Sequence, residues 1–223
     1  MQAAQAILLY TSIVVTVFAK GNCQNTPSTV ESKITYNEFK KTVSSHKRLL
    51  AHHQTKEISN YLFKLINDDI YNYWAGTPWA FYGVTRQPKT ESIACGYFVT
   101  NTLTDLGFNI DRVGLAETAS GNMIKKLCVA VKSFNGIGKL NSYLAQQPIN
   151  SVFIVGLDFH TGYIVKTATY SYFIHSNYIK KEGVVKEEVN LSQALSKNKF
   201  FMIGSLTANQ KLLRKWVANK PVI

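Results

Sequence analysis

Three cysteines and five histidines among 223 residues are the side chains that could begin nucleophilic chemistry near neutral pH. Cys95 opens an apolar helical stripe, whereas His160 and His175 lie in strand-like runs much further along the chain. A thiol at a helix start meets unpaired main-chain N–H groups, which favour its thiolate. A neighbouring imidazole can hold the thiol proton and later give it to a leaving group. His46, His52 and His53 cluster in a Lys-rich stretch and read as surface residues. Cys128, within MIKKLCVAV, reads as a buried apolar residue. A Cys95–Cys128 disulfide in an oxidising compartment would silence the nucleophile. No Cys-x-x-Cys pair points to zinc or thioredoxin chemistry, and no cofactor or metal is expected.

The elements that must position these groups follow from hydrophobic spacing. Tyr36, Phe39, Val43, Leu49 and Leu50 form an irregular amphipathic stripe. Ile58, Leu62, Leu65, Ile66 and Ile70 recur at three- and four-residue steps and predict a helix. Tyr71 to Pro88, aromatic and interrupted by Gly and Pro, reads as a structured loop that is either a packed wall or one lip of a cleft. A second helix is expected from about Cys95 to Leu106, stopped by Gly107. Its face of Cys95, Phe98, Val99, Thr102, Leu103 and Leu106 is apolar except for the threonine. A third helix is expected over about Glu117 to Val131.

Beyond Pro148 the pattern changes to β-rich runs at Ser151–Leu157, Thr161–Val165, Tyr172–Tyr178 and Lys199–Leu206. Helices first and strands second predict an α+β domain with an antiparallel sheet. A hairpin turning around Thr167-Ala168 would set His160 directly opposite His175, with Cβ atoms roughly 5 Å apart. His175 could then fix the tautomer of His160, a role for which Asp158 and Asn177 compete.

Three segments together resemble the motifs of NlpC-type papain-like cell-wall cysteine peptidases. They are Ile93-Ala94-Cys95-Gly96-Tyr97-Phe98-Val99, His160-Thr161-Gly162-Tyr163-Ile164 and Phe173-Ile174-His175-Ser176. Tyr73-Trp74-Ala75-Gly76 is similar to the Tyr-x-x-Gly that precedes the nucleophile in that family. The resemblance spans about Tyr73 to Ser176. It implies a papain-like NlpC-type fold, with N-terminal helices packed on a central antiparallel sheet. It also implies Cys95 as nucleophile, His160 as base and His175 as its orienting partner, with the Cys95 N–H in an oxyanion hole. Tyr73, Trp74, Gly96 and Asp158 are the residues expected to contact substrate. The family commonly has Asp before the cysteine and Ser after it; Ala94 and Gly96 stand there instead. This departure bears on which bond is cleaved, since those neighbours grip the free amino end of a stem peptide.

The expected activity is hydrolysis of an amide in a peptidoglycan peptide through a thioester. The rivals are a catalytically inactive cell-wall-binding protein, and an amidase or acyltransferase, such as an antibacterial effector, on another substrate. A formal charge of +12 suits a peptidoglycan peptide or a similar anionic cell-wall polymer. The basic residues are dispersed, without zinc-finger spacing or an RNA-binding aromatic motif, so no nucleic acid is expected.

Ala6–Phe18 is uncharged and apolar, of a length that suits the hydrophobic region of a secretion signal. Residues 1–19 are therefore expected to be a signal peptide or an uncleaved anchor, 20–33 a polar linker, and 34–223 a single domain. Export to the periplasm, envelope or exterior follows, with membrane contact only through an uncleaved or lipidated N-terminus. Cys23 is the candidate for lipidation, although Asn22 is larger than the residue usual before such a cysteine.

Overall fold

A computed structural model describes residues 34–222. The expected signal segment, the linker and Cys23 lie outside the described residues. Helix α1 (Tyr36–Leu49) begins with a capping box, in which the Thr35 hydroxyl accepts from the Glu38 N–H and the Glu38 carboxylate accepts from the Thr35 N–H. Helix α2 (Thr55–Lys64) runs through a π-turn at Leu65–Ile70 into the short α3 (Tyr71–Trp74). After α4 (Cys95–Asp105) come α5 (Arg112–Glu117) and α6 (Ser120–Leu127). The remaining elements are β1 (Val129–Asn135), α7 (Ile137–Ala145), β2 (Ser151–Leu157), β3 (Thr161–Lys166), β4 (Ser171–Asn177), β5 (Gly183–Glu188), α8 (Gln193–Ser196), β6 (Phe200–Ser205) and α9 (Gln210–Val217).

The six strands form one antiparallel sheet in the order β1-β6-β2-β3-β4-β5. The architecture is mixed α+β. One face carries Val152, Ile154, Tyr163, Val165 and Ile174 into a core shared with α1 to α4, α6 and α9. The other carries Phe153, Val155, Ile164, Phe173 and Ile203 into a second core under α7 and α8. Burial on both faces explains why β2 is a continuous apolar run rather than an alternating one.

Two expectations change. The helix predicted over Glu117–Val131 is broken at Thr118-Ala119 and ends at Leu127, because the following residues leave to pair with β6. β1 and β5 were not anticipated. β1 is largely exposed and β5 is buried only at its start, so neither shows a clean period of two.

Helix α4 is fixed from several sides. Tyr163 of β3 donates its hydroxyl to the Val99 carbonyl at 2.9 Å and shares a hydrogen bond with Thr102 at 2.8 Å. Thr102 is thus the polar exception on an apolar face because it has buried partners. At the far end, Gly107 adopts a positive φ of 85° and the Trp216 indole donates to the Leu106 carbonyl. The Ser176 hydroxyl of β4 donates at 2.7 Å to the carbonyl of Ile93, two residues before the thiol.

Candidate active site

Cys95 is the first residue of α4, and its N-cap, Ala94, offers no side-chain acceptor to the first-turn N–H groups. The main-chain N–H groups of Thr161, Gly96 and Cys95 instead face Sγ and favour its thiolate. These pull the thiol pKa down, but burial is the larger effect and the net direction is upward. The thiolate expected from the helix start alone is therefore not the resting state. Cys95 and Cys128 are both free thiols, and Cys128 is buried at the end of α6 with its pKa pushed up to about 12 by desolvation.

His160 immediately precedes β3 and His175 lies in β4. The ring atoms His160 Nε2 and His175 Nδ1 are 2.7 Å apart. The ladder is shifted by two residues from the one expected, with Lys166 paired to Ser171 and Tyr163 to Ile174. The cause is a four-residue loop, Thr167–Tyr170, closed by the Thr167 N–H and hydroxyl on the Tyr170 carbonyl. A shift of two keeps every side chain on its face. The two histidines are diagonal neighbours rather than direct partners, and Gly162 is the residue across from His175. A Cβ at position 162 would lie 2.7 Å from the His175 Cβ, so the missing side chain admits the ring.

His175 continues the chain on its other nitrogen. Its Nε2 is 3.0 Å from Glu187 Oε1, which also accepts from the Ser192 hydroxyl at 2.5 Å. Glu187 comes from the unanticipated strand β5, and no sequence motif marks it. Burial raises its pKa, yet the bonds from His175 and Ser192 outweigh that and hold it low, as a carboxylate. Burial lowers His175, against a smaller opposing pull from Glu187. Burial, with His175 beside it, holds His160 well below the ordinary histidine range.

Two neutral imidazoles ending on a carboxylate permit one set of tautomers. Glu187 accepts, so His175 carries its proton on Nε2 and accepts on Nδ1. His160 must then donate from Nε2, which leaves its Nδ1 as a bare lone pair. The chain makes His160 a base at Nδ1.

The imidazoles project from the α7/α8 face, where His175 stacks on Phe173 at 3.9 Å, whereas α4 packs on the other face. They meet at the end of the sheet. The N–H of Thr161, the residue after His160, reaches Sγ there. Cys95 and His160 line two cavities of about 560 and 670 Å³ that also share Phe81, Gly96, Ala116 and Phe159. Thiol and base thus occupy the waist of a two-lobed cleft.

The expected substrate contacts divide. Gly96 is at the waist, and a Cβ there would come 2.3 Å from the Ala116 carbonyl, which is why Ser cannot follow the cysteine on this backbone. Asp158 lines the smaller lobe and accepts from the Lys199 N–H at 3.1 Å; it does not orient a histidine. Asn177 is also occupied elsewhere, with Glu182 and the Ile179 N–H. Tyr73 and Trp74 are corrected outright. Trp74 is fully buried and donates to the Tyr36 hydroxyl, which donates to Asp105. Tyr73 packs at a tilt against the rings of Tyr36 and Phe39 and donates to the Ile34 carbonyl. Both pack against α1, so the aromatic lip is formed instead by Trp79, Phe81 and Tyr82 further along the loop.

No protein-family model, curated protein or solved structure matches the chain.

Proposed function

We propose that the protein is a cysteine hydrolase that breaks an acyl bond through a thioester on Cys95. The observation that carries this reading is the chain Glu187–His175–His160, whose last member lines the cleft that also holds the thiol. With a neutral thiol and a neutral imidazole at rest, His160 takes the proton as sulfur attacks the carbonyl carbon, then passes it to the leaving group. The developing imidazolium is stabilised through His175 by Glu187. As sulfur bonds to carbon, the main-chain N–H groups of Cys95 and Gly96 that face it at rest would be freed for the oxyanion. A helix opening on the thiol, followed by antiparallel strands carrying the histidines, is the arrangement an NlpC-like papain fold would have.

By the order of its motifs, the substrate would be an amide of a peptidoglycan stem peptide met after export. One observation favours a different acyl substrate: among the described residues no Lys or Arg lines either lobe, and the charged lining residues are Glu117 and Asp158. The net charge of +12 is therefore not focused where a carboxylate-rich peptide would bind. Digestion of purified muropeptides followed by mass spectrometry tests the cell-wall substrate. Turnover lost in Cys95→Ala is the expected result for any substrate, and undiminished turnover in that variant overturns the hydrolase reading.

A further inference from the structure

The two lobes are unequal in a way that bond cleavage alone does not require. The larger, of about 670 Å³, is walled by Trp79, Tyr82, Val84, Tyr97 and Tyr178. The smaller adds hydroxyl and carboxylate groups from Thr118, Ser120, Asp158 and Thr161 to an apolar lining that includes Met123, Leu157 and Phe200. At the mouth, Phe81, Tyr82 and Phe159 are 72%, 88% and 98% exposed. Adjacent exposed rings beside the Cys95 thiol mark a surface suited to apolar matter. The volume exceeds what one amino-acid side chain fills and suits a ligand of drug size.

We infer that the larger lobe holds the acyl half of the substrate and that this half is a long apolar chain, as in a fatty-acyl ester or amide of a lipid. This inference rests on the cysteine-hydrolase reading and replaces the stem peptide by a lipid as the substrate class. Sulfur attacks the carbonyl of the chain, the C–S bond forms and the C–O or C–N bond breaks. The leaving alcohol or amine takes the thiol proton from His160 and departs by the smaller lobe, past the hydroxyl and carboxylate groups of Thr118, Ser120 and Asp158. Water, deprotonated by His160, then cleaves the thioester to the fatty acid and returns the proton to sulfur.

The test uses the full-length protein with p-nitrophenyl acetate, hexanoate and dodecanoate below their aggregation limits, read by kcat/KM and by intact mass. Each methylene fully buried at the acyl site contributes up to about fourfold, from about 0.8 kcal/mol per group. A rise of at least about tenfold from acetate to hexanoate is expected, with an acyl adduct on Cys95. Val84→Asp, and independently Trp79→Ala, should collapse the hexanoate-to-acetate ratio. A flat chain-length profile with the adduct still on Cys95 overturns the lipid assignment alone, as does a ratio unchanged in both lobe variants. Absence of any adduct, with Cys95→Ala turning over as fast as the parent protein, overturns the hydrolase reading and this inference with it.

Discussion

Gly162 stands across the β3–β4 ladder from His175, and the space left by its missing side chain lets the His175 ring lean to His160. The close atoms around an added methyl would be the His175 Cβ at 2.7 Å, the Ile174 carbonyl at 2.8 Å and Phe173 Cε2 at 2.8 Å. Two of these neighbours are not flexible chain ends, so the strand or the ring must move. Gly162→Ala should cost about 1–3 kcal/mol of stability, the usual penalty of overpacking. It should also lower kcat in the fraction that remains folded. Thermal unfolding beside active-site titration separates the two, and a variant with unchanged stability and kcat would deny the glycine its role.

Glu187 sets the tautomer of His175 directly, at 3.0 Å, and that of His160 through it. Glu187→Gln keeps the size but lets the amide donate to His175 Nε2, which would reverse both rings and place a proton on the base nitrogen of His160. A fall in kcat of about 10²–10⁴ is expected with KM little changed, comparable to the effect of a wrong tautomer in a serine triad. A purely structural role for Glu187 would lower stability and leave kcat per folded molecule intact. Circular dichroism alongside the kinetics decides between them.

What was legible in the chain divides along burial. β2, β3, β4 and β6 are sheet-interior strands whose apolar or β-branched runs announce them, and the α4 face from Cys95 to Leu106 follows from spacing alone. The edge strands β1 and β5 pair on one side only and show no clean alternation, so Glu187, carried on β5, was beyond reach. The His160–His175 pairing was anticipated from a ladder off by two residues. It held because an even shift preserves the face, and the loop of Thr167–Tyr170 has no Gly or Asn to mark its centre. Tyr73 and Trp74 were misplaced for a different reason. An aromatic cluster shows that something large packs there, but not whether its neighbour is a helix or a ligand.

Removing the sulfur should abolish turnover without unfolding the domain. Cys95→Ala is expected to reduce kcat/KM by at least about a thousandfold. Its stability should change by about 1 kcal/mol or less, since the loss is similar to that of one methylene. His160→Ala should match it closely, because the thiol then has no base. His175→Ala should lose less, because the proton-accepting nitrogen survives it. If His175→Ala proves the more damaging of the two, the roles assigned along the chain are reversed.

The pH dependence follows from the directions of the two shifts. Burial holds the thiol above its ordinary value, so in the free protein the fraction of thiolate rises only as pH climbs toward and beyond that value. Alkylation of Cys95 by iodoacetamide should therefore be slow at pH 7 and accelerate through the alkaline range. His160 is held well below the ordinary histidine value, so it is already neutral and able to accept a proton at pH 7. Turnover should accordingly fall only on the acid side of pH 6.5, as His160 gains a proton, and should be level through neutrality. A preformed thiolate–imidazolium pair predicts the opposite labelling curve, rapid and nearly constant down to acid pH. Stopped alkylation followed by peptide mass spectrometry between pH 5 and pH 10 distinguishes the two, and rapid labelling at pH 5 would exclude the neutral resting pair.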